Sequence, residues 1–117
     1  MNIDRFTFII SVEIEICQKG TVQIGLGGST KLTARIKLKH NQPVTIRWQK
    51  LENNVSRNLN INTRKYSGSS CELPTPELVI NDADQLDAGI YQLQVTTTTE
   101  TVNSTPVVVE IFGGNKS

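Results

Sequence analysis

The feature that most constrains the fold of this chain is a period-two alternation of apolar and polar residues, which returns along most of its length. It is plainest in residues 6–16, where one face carries only apolar side chains. These are Phe6, Phe8, Ile10, Val12, Ile14 and Ile16. Such alternation is typical of β-strands with one buried face, and no long segment has the periodicity of an amphipathic helix. The chain is therefore predicted to be all-β.

Turn-forming residues divide this pattern into segments. The predicted strands cover residues 6–16, 21–24, 30–38, 44–50, a short stretch within 58–63, a strand that begins near 64–67, then 77–81, the run from the corner at Asp87 to Thr96, and 105–112. Glycines at 25, 27 and 28 and the run Asn41-Gln42-Pro43 mark turns. Residues 73–76 contain two prolines and are predicted to be a linker, and residues 97–104 a loop.

Trp48 and the run 87–95, which reads Asp-Ala-Gly-Ile-Tyr-Gln-Leu-Gln-Val, are the most specific motifs. Together they resemble an immunoglobulin-like domain, in which a tryptophan on strand C packs in the core and an Asp-x-Gly-x-Tyr corner leads into strand F. Leu32-x-Ala34 and Leu78-x-Ile80 stand where strands B and E of that family would lie. In the family's letters, the predicted strands are A, A′, B, C, C′, D, E, F and G in chain order.

The resemblance implies an immunoglobulin-like antiparallel β-sandwich with Greek-key topology, of the intermediate or C2 type. It covers residues 12–112. Residues 1–11 are then expected to extend the first strand, and residues 113–117 to form a flexible tail. The family occurs in invertebrate immune and adhesion proteins, which is one setting that the resemblance suggests.

The chain departs from the family at its inter-sheet disulfide. The positions that match the family's two cysteines hold Ala34 on strand B and Leu93 on strand F. The resemblance therefore implies an apolar contact between Ala34 and Leu93 beside Trp48. Cys17 and Cys71 are expected to lie too far apart to form a different bridge.

The corner motif carries structural expectations of its own. In this family the tyrosine hydroxyl bonds to backbone at the corner, which assigns that role to Tyr91. Asp87 is expected to pair with Arg64 or Lys65, and Gly89 to form part of the turn. These residues, like Ala34, Trp48 and Leu93, are thus interpreted as architecture and not as a binding site.

Charge and composition exclude several classes of partner. The net charge is +1 in 117 residues, with basic and acidic residues interspersed, so the sequence has no basic patch for nucleic acid or for an anionic membrane. No run approaches the roughly 20 apolar residues of a membrane span. Residues 6–12 lack the basic leader and cleavage site of a signal peptide.

Nothing in the sequence indicates an enzyme or a cofactor. The chain has one histidine, His40, in a predicted turn, and its two cysteines do not have zinc-ligand spacing. The glycines that precede Ser29 superficially resemble a phosphate-binding loop. Such a loop must open a helix, however, and strand B follows here. No catalytic, metal or cofactor site is therefore predicted.

The outward face of strands C, F and G is the predicted binding surface. Its side chains are Arg47, Gln49, Gln92, Gln94, Val108 and Glu110. A mixed face with an arginine is suited to contact with a protein, and domains of this family often pair through it. The loops at residues 40–43 and 97–104 are the alternative binding surface, although they lack aromatic anchors.

Two functional hypotheses follow. The first is a non-enzymatic recognition module that binds a protein or a microbial surface ligand in immunity or adhesion. The alternative is an intracellular structural module of the muscle and cytoskeletal type. Self-association through residues 6–16 or through the CFG face is a further expectation.

The compartment is left open by the sequence. The missing disulfide and two unpaired thiols favour a reducing, intracellular environment. A processed fragment of a secreted protein would look the same, however. Asn54, Asn103 and Asn115 each begin an Asn-x-Ser/Thr acceptor motif for N-glycans, as expected for a secreted protein.

Overall fold

The computed structural model describes residues 11–113, which form short strands joined by turns. In chain order the strands are β1 (Val12–Ile16), β2 (Thr21–Gly25), β3 (Thr30–Leu38), β4 (Thr45–Glu52), β5 (Val55–Asn58), β6 (Glu77–Ile80), β7 (Gly89–Thr96), β8 (Thr101–Asn103) and β9 (Val107–Phe112). Single turns of 3-10 helix cover Arg64–Tyr66 and Gln85–Asp87. The predicted all-β class is confirmed.

The strands form two sheets. Sheet I has the order β1-β3-β6 and is antiparallel. Sheet II has the order β2-β9-β7-β4-β5, with β8 also paired to β7. Among the strands of residues 11–113, only β2 and β9 run parallel to each other. In the immunoglobulin-like lettering, sheet I holds strands A, B and E, and sheet II holds A′, G, F, C and C′, so the predicted sandwich is confirmed.

The core lies between the two sheets. Sheet I contributes Leu32, Ala34, Leu78 and Ile80, and sheet II contributes Trp48, Tyr91, Leu93, Val95, Val107 and Val109, all of them fully or almost fully buried. They sit at alternate positions of their strands, as the period-two pattern predicts. Burial of each large apolar side chain stabilises the fold by about 1.5–3 kcal/mol, so this layer holds the sheets together.

The predicted position of strand C′ is wrong. It was expected within residues 58–63, but β5 begins at Val55, directly after a two-residue turn from β4. Asn53 and Asn54 form that turn with φ values of 53° and 66°. Asparagine tolerates positive φ, and two such residues match the twist of a tight hairpin.

The prediction that strand D begins near residues 64–67 is also wrong. The 3-10 turn Arg64–Tyr66 lies there instead. Beside it, the hydroxyl of Ser69 accepts a hydrogen bond from the backbone N–H of Val79 at 2.7 Å, and Ser70 forms an isolated bridge with Glu77. A segment without regular secondary structure thus bonds to the backbone groups at the edge of β6, with which a strand D would otherwise pair.

The F–G connection is tighter than predicted. Residues 97–104 were expected to be a loop, but Thr101–Asn103 form β8 and pair with the end of β7. The turn is held by Thr97, whose hydroxyl accepts a hydrogen bond from the N–H of Glu100 at 3.1 Å. Strand G is then interrupted around Pro106, which lacks an N–H, and resumes as β9 at Val107.

The first strand is described only in part. Of the predicted segment 6–16, β1 holds residues 12–16, and Val12 and Ile16 are buried as expected. Phe6, Phe8 and Ile10 lie outside the described residues, as do residues 114–117 of the predicted tail. The division into an extension, a domain and a tail stays a prediction.

Candidate protein-binding face

The corner before β7 is built as a structural unit. The hydroxyl of Tyr91 donates a hydrogen bond to the backbone carbonyl of Asp87 at 2.5 Å. The carboxylate of Asp87 accepts hydrogen bonds from Lys65 Nζ at 2.7 Å and from the N–H of Asp84 at 2.9 Å. The carbonyl and the carboxylate of Asp87 thus both bond within the fold, and the residue is buried, which agrees with a structural role.

The electrostatics of this corner agree with a structural role. Burial raises the pKa of the Tyr91 phenol. Desolvation lowers the pKa of Lys65, but the hydrogen bond and charge of Asp87 outweigh it, so that the pKa of Lys65 is raised. The tyrosine stays neutral and the lysine stays charged at neutral pH, as the hydrogen bonds require.

Gly89 makes room for a buried lysine. The φ angle of Gly89 is 152°, and a Cβ atom there would lie 2.7 Å from Cε of Lys50. Lys50 is buried, its Nζ donates to the carbonyl of Leu86 at 2.6 Å, and it lies 5.5 Å from the centre of the Tyr91 ring. The positive φ favours glycine at this position, and any larger residue would also have to displace the end of the Lys50 side chain.

The candidate binding surface is the outer face of sheet II. It is formed by the side chains that point away from the core on strands β2, β4, β5, β7, β8 and β9. Cross-strand register places the predicted binding residues together on this face. Gln49 lies opposite Gln92, Arg47 lies opposite Gln94, and Val108 lies on β9 beside β7. Arg47, Val108 and Glu110 are exposed, and Gln94 is partly buried.

Gln49 and Gln92 are more buried than expected. The sequence predicted them as outward, accessible side chains, but they are 5% and 7% exposed. Gln92 Nε2 donates to Gln49 Oε1 at 2.8 Å, and Gln49 Nε2 donates to Asn58 Oδ1 at 2.8 Å. A further contact of 3.3 Å joins Gln92 to the hydroxyl of Ser56. These bonds fix the amides as a platform across β5, β4 and β7.

An apolar row lies beside this platform, and two of its members were missed from the sequence. Leu51, Ile90 and Val108 are neighbours across β4, β7 and β9. Ile90 and Val108 are 39% and 38% exposed, and Leu51 is partly buried. Alternation from the buried Tyr91 places Ile90 outward, so the sequence did contain the signal.

The face carries very little charge. Among its described outward positions on the six strands, only Arg47 and Glu110 are ionisable. Neither forms an ion pair within residues 11–113. Glu110 accepts one hydrogen bond from Gln23 Nε2, at 3.2 Å. A flat, weakly charged face with central apolar residues is typical of protein contact surfaces.

The loops at the end of the sandwich are a poorer site. The hollow between them has a volume of about 180 Å³ and is lined by Pro43, Val44, Thr45, Thr96, Thr97 and Thr98. Pockets for small molecules usually measure about 300–1,000 Å³. With β8 shortening the F–G turn, these loops offer little concave surface.

Nothing within residues 11–113 groups side chains for metal chemistry. No three His, Cys, Asp or Glu residues in that range are placed to hold an ion. His40 is exposed in its turn, and Cys17 and Cys71 are free thiols. Among the described residues, no helix has the length and hydropathy of a membrane span.

Comparisons with known proteins agree with the fold. No protein-family model and no curated protein sequence matches the chain. Among solved structures, the chain is similar to the BTLA ectodomain, with a TM-score of 0.66 and 18% sequence identity over 86% of this chain and 99% of that one. At this identity the likeness establishes the immunoglobulin-like fold alone. Because 1941 chains of known structure match, the fold by itself does not identify a ligand.

Proposed function

We propose that this chain is a non-enzymatic recognition domain that binds a protein ligand through the outer face of sheet II. The observation that carries the proposal is an apolar row, in which Ile90 and Val108 are exposed and Leu51 is partly buried, with a hydrogen-bonded amide platform beside it. Side chains that are already fixed lose little conformational entropy on binding. The likeness to the BTLA ectodomain is compatible with this proposal.

The chemistry of the face favours a protein over a small molecule or a charged polymer. Binding a small ligand requires a concave pocket, and the face is a flat sheet surface. Binding an anionic polymer requires a basic stripe, whereas this face has one arginine and one glutamate. A protein surface with apolar and amide groups complements it best.

Site-specific photo-crosslinking in extracts of the source tissue tests the proposal. A benzoylphenylalanine placed at Ile90 should give a discrete adduct with a protein, and the added substitution Val108→Asp should abolish that adduct. Leu73, which is 43% exposed on the linker beside sheet I, is the matched control position. Equal crosslinking from positions 90 and 73, or none from 90, contradicts the proposal.

The free thiols favour a second candidate, an intracellular structural module. Cys17 is exposed and Cys71 is partly buried, and neither is in a disulfide. Exposed free thiols are typical of reducing compartments. Mass spectrometry of the native protein separates the candidates. Two unmodified thiols without glycans at Asn54 and Asn103 support the intracellular module, and a glycan at either asparagine supports a secreted recognition domain.

A further inference from the structure

We infer that the partner bound by the outer face of sheet II is a second copy of this chain, in a two-fold symmetric pair. This inference rests on the proposed function, because it names the ligand of the same face. It starts from the charges of that face. Arg47 and Glu110 are opposite in sign, exposed, and free of ion pairs within the described residues.

The positions of the two charges suit a symmetric pair. Arg47 on β4 is level with Gln94 of β7, whereas Glu110 on β9 is level with Ala88, just before β7 begins. At about 3.3 Å per residue, the two charges are separated by about 20 Å along the strands. They also lie on opposite sides of β7, so the centre of the face falls between them, near Ile90 and Gln92.

A two-fold axis that passes through that centre, lies in the plane of the interface and is perpendicular to the line from Arg47 to Glu110 brings Arg47 of each copy onto Glu110 of the other. In such an isologous interface every contact occurs twice. Arg47 and Glu110 of one copy therefore form two ion pairs with Glu110 and Arg47 of the other. A different protein would have to supply an acidic and a basic group at the same separation. A second copy of this face supplies both the acidic and the basic group at that separation. A second copy is therefore the partner with the best charge complementarity.

The centre of the face suits the same arrangement. Ile90 and Val108 would lie against the amide platform of the other copy, in which Gln92 Nε2 donates to Gln49 Oε1 and Gln49 Nε2 donates to Asn58 Oδ1. Burying them therefore leaves few polar groups without hydrogen bonds. Strands β4, β7 and β9 with their flanks span about 20 Å by about 25 Å, which is at the small end for specific interfaces. The dimer is consequently expected to be weak and reversible.

Sedimentation velocity of the full chain tests the inference over a concentration series, at low salt to limit screening. Arg47→Glu and Glu110→Lys should each weaken self-association at least about 30-fold, because each places like charges opposite one another at two contacts. An equimolar mixture of these variants should dimerise again, because each contact of the mixed pair joins opposite charges. The matched controls are Arg35→Glu and Glu13→Lys, two exposed positions on the outer face of sheet I, which should dimerise like the parent.

Recovery of dimerisation in the mixture supports the inference. It also shows that both variants are folded, because an unfolded variant could not dimerise. The inference is overturned by a parent chain that stays monomeric near its solubility limit, by variants that associate like the parent, or by a mixture that fails to recover. Dimerisation that is insensitive to these charges and lost on deletion of residues 1–11 overturns it in favour of strand exchange. A monomeric chain that still gives an adduct with another protein from position 90 overturns the inference and leaves the proposed function standing.

Discussion

Gln92 donates its side-chain amide to the side-chain carbonyl of Gln49 at 2.8 Å, directly across β7 and β4. Both residues point away from the core, yet both are more than nine-tenths buried. The bond between them and the bond from Gln49 Nε2 to Asn58 Oδ1 hold the two side chains in place. The pair therefore gives sheet II an outer surface that is polar in composition and rigid in form.

Removing one member of this pair should cost stability. Gln49→Ala leaves the buried amide of Gln92 without its acceptor and Asn58 without its donor, so the free energy of unfolding should fall by about 1–3 kcal/mol. Urea unfolding measures the change. Gln94→Ala is the control, since Gln94 bonds only to exposed Asn103 at 3.2 Å and should change stability by less than about 0.5 kcal/mol. Equal effects of the two substitutions would show that the platform is not fixed.

Tyr91→Phe should lower the free energy of unfolding by roughly 1 kcal/mol, or somewhat more. The substitution removes the buried hydroxyl that bonds to the carbonyl of Asp87 and leaves that carbonyl unpaired. Binding through the outer face of sheet II should be unaffected, because Tyr91 points into the core. Unchanged stability in urea unfolding would mean that the hydroxyl contributes no net hydrogen bond.

Stability should also fall at alkaline pH. Burial raises the pKa of Tyr91 above its ordinary value of about 10, so above that pH the unfolded chain loses a proton that the folded chain keeps. The stabilisation is thus complete below about pH 10 and is lost as the pH rises, by up to about 1.4 kcal/mol per pH unit for one such group. The pKa of Tyr66, raised by burial, and the raised pKa of Lys65 act in the same direction.

Urea titrations at about pH 8 and about pH 11 measure this effect. Tyr91→Phe is the informative variant, because it removes one of the titrating groups and should lose less stability between the two pH values than the parent does. Identical losses in the two proteins would contradict a raised pKa at Tyr91.

The family's disulfide should be restorable. Ala34 and Leu93 are fully buried in opposite sheets of the same core, at the positions that the resemblance assigns to the cysteines. A bridge between them closes a loop of about 60 residues and stabilises by about 4 kcal/mol in the chain-entropy model. Loss of the Leu93 side chain offsets about 2 kcal/mol of that gain. The oxidised double variant Ala34→Cys/Leu93→Cys should melt above the parent, and one that melts no higher would show that the geometry is strained or the pairing misassigned.

The sequence predicted best those elements in which burial and turn residues agree. The bounds of β3, Thr30–Leu38, match the prediction, since both ends have turn residues and alternate positions are buried. The Tyr91 corner is likewise a local motif, and the hydrogen bond that the family resemblance implies for it is present. The alternation of β7 placed Leu93 and Val95 inward for the same reason.

Exposed and context-dependent elements could not be predicted. All four residues of β5 are exposed, so it has no apolar pattern, and its position depends on the positive φ angles of Asn53 and Asn54. The burial of Gln49 and Gln92 depends in turn on β5, which brings Asn58 and Ser56 alongside them. Alternation gives the face on which a side chain lies, whereas its accessibility depends on the neighbouring strand.

The most direct measurement is the dissociation constant for the protein that crosslinks at position 90, with Ile90→Asp compared to Leu73→Asp. If that protein is a second copy of the chain, the constant is that of self-association. Ile90 is central to the outer face of sheet II, and Ile90→Asp would bury an unpaired charge at that centre, so it should weaken binding at least about 30-fold, or about 2 kcal/mol. Leu73→Asp places the same charge at a similarly exposed position beside sheet I and should change the constant less than about twofold. Binding that survives Ile90→Asp, or that is lost equally with Leu73→Asp, would contradict the assignment of this face as the contact surface.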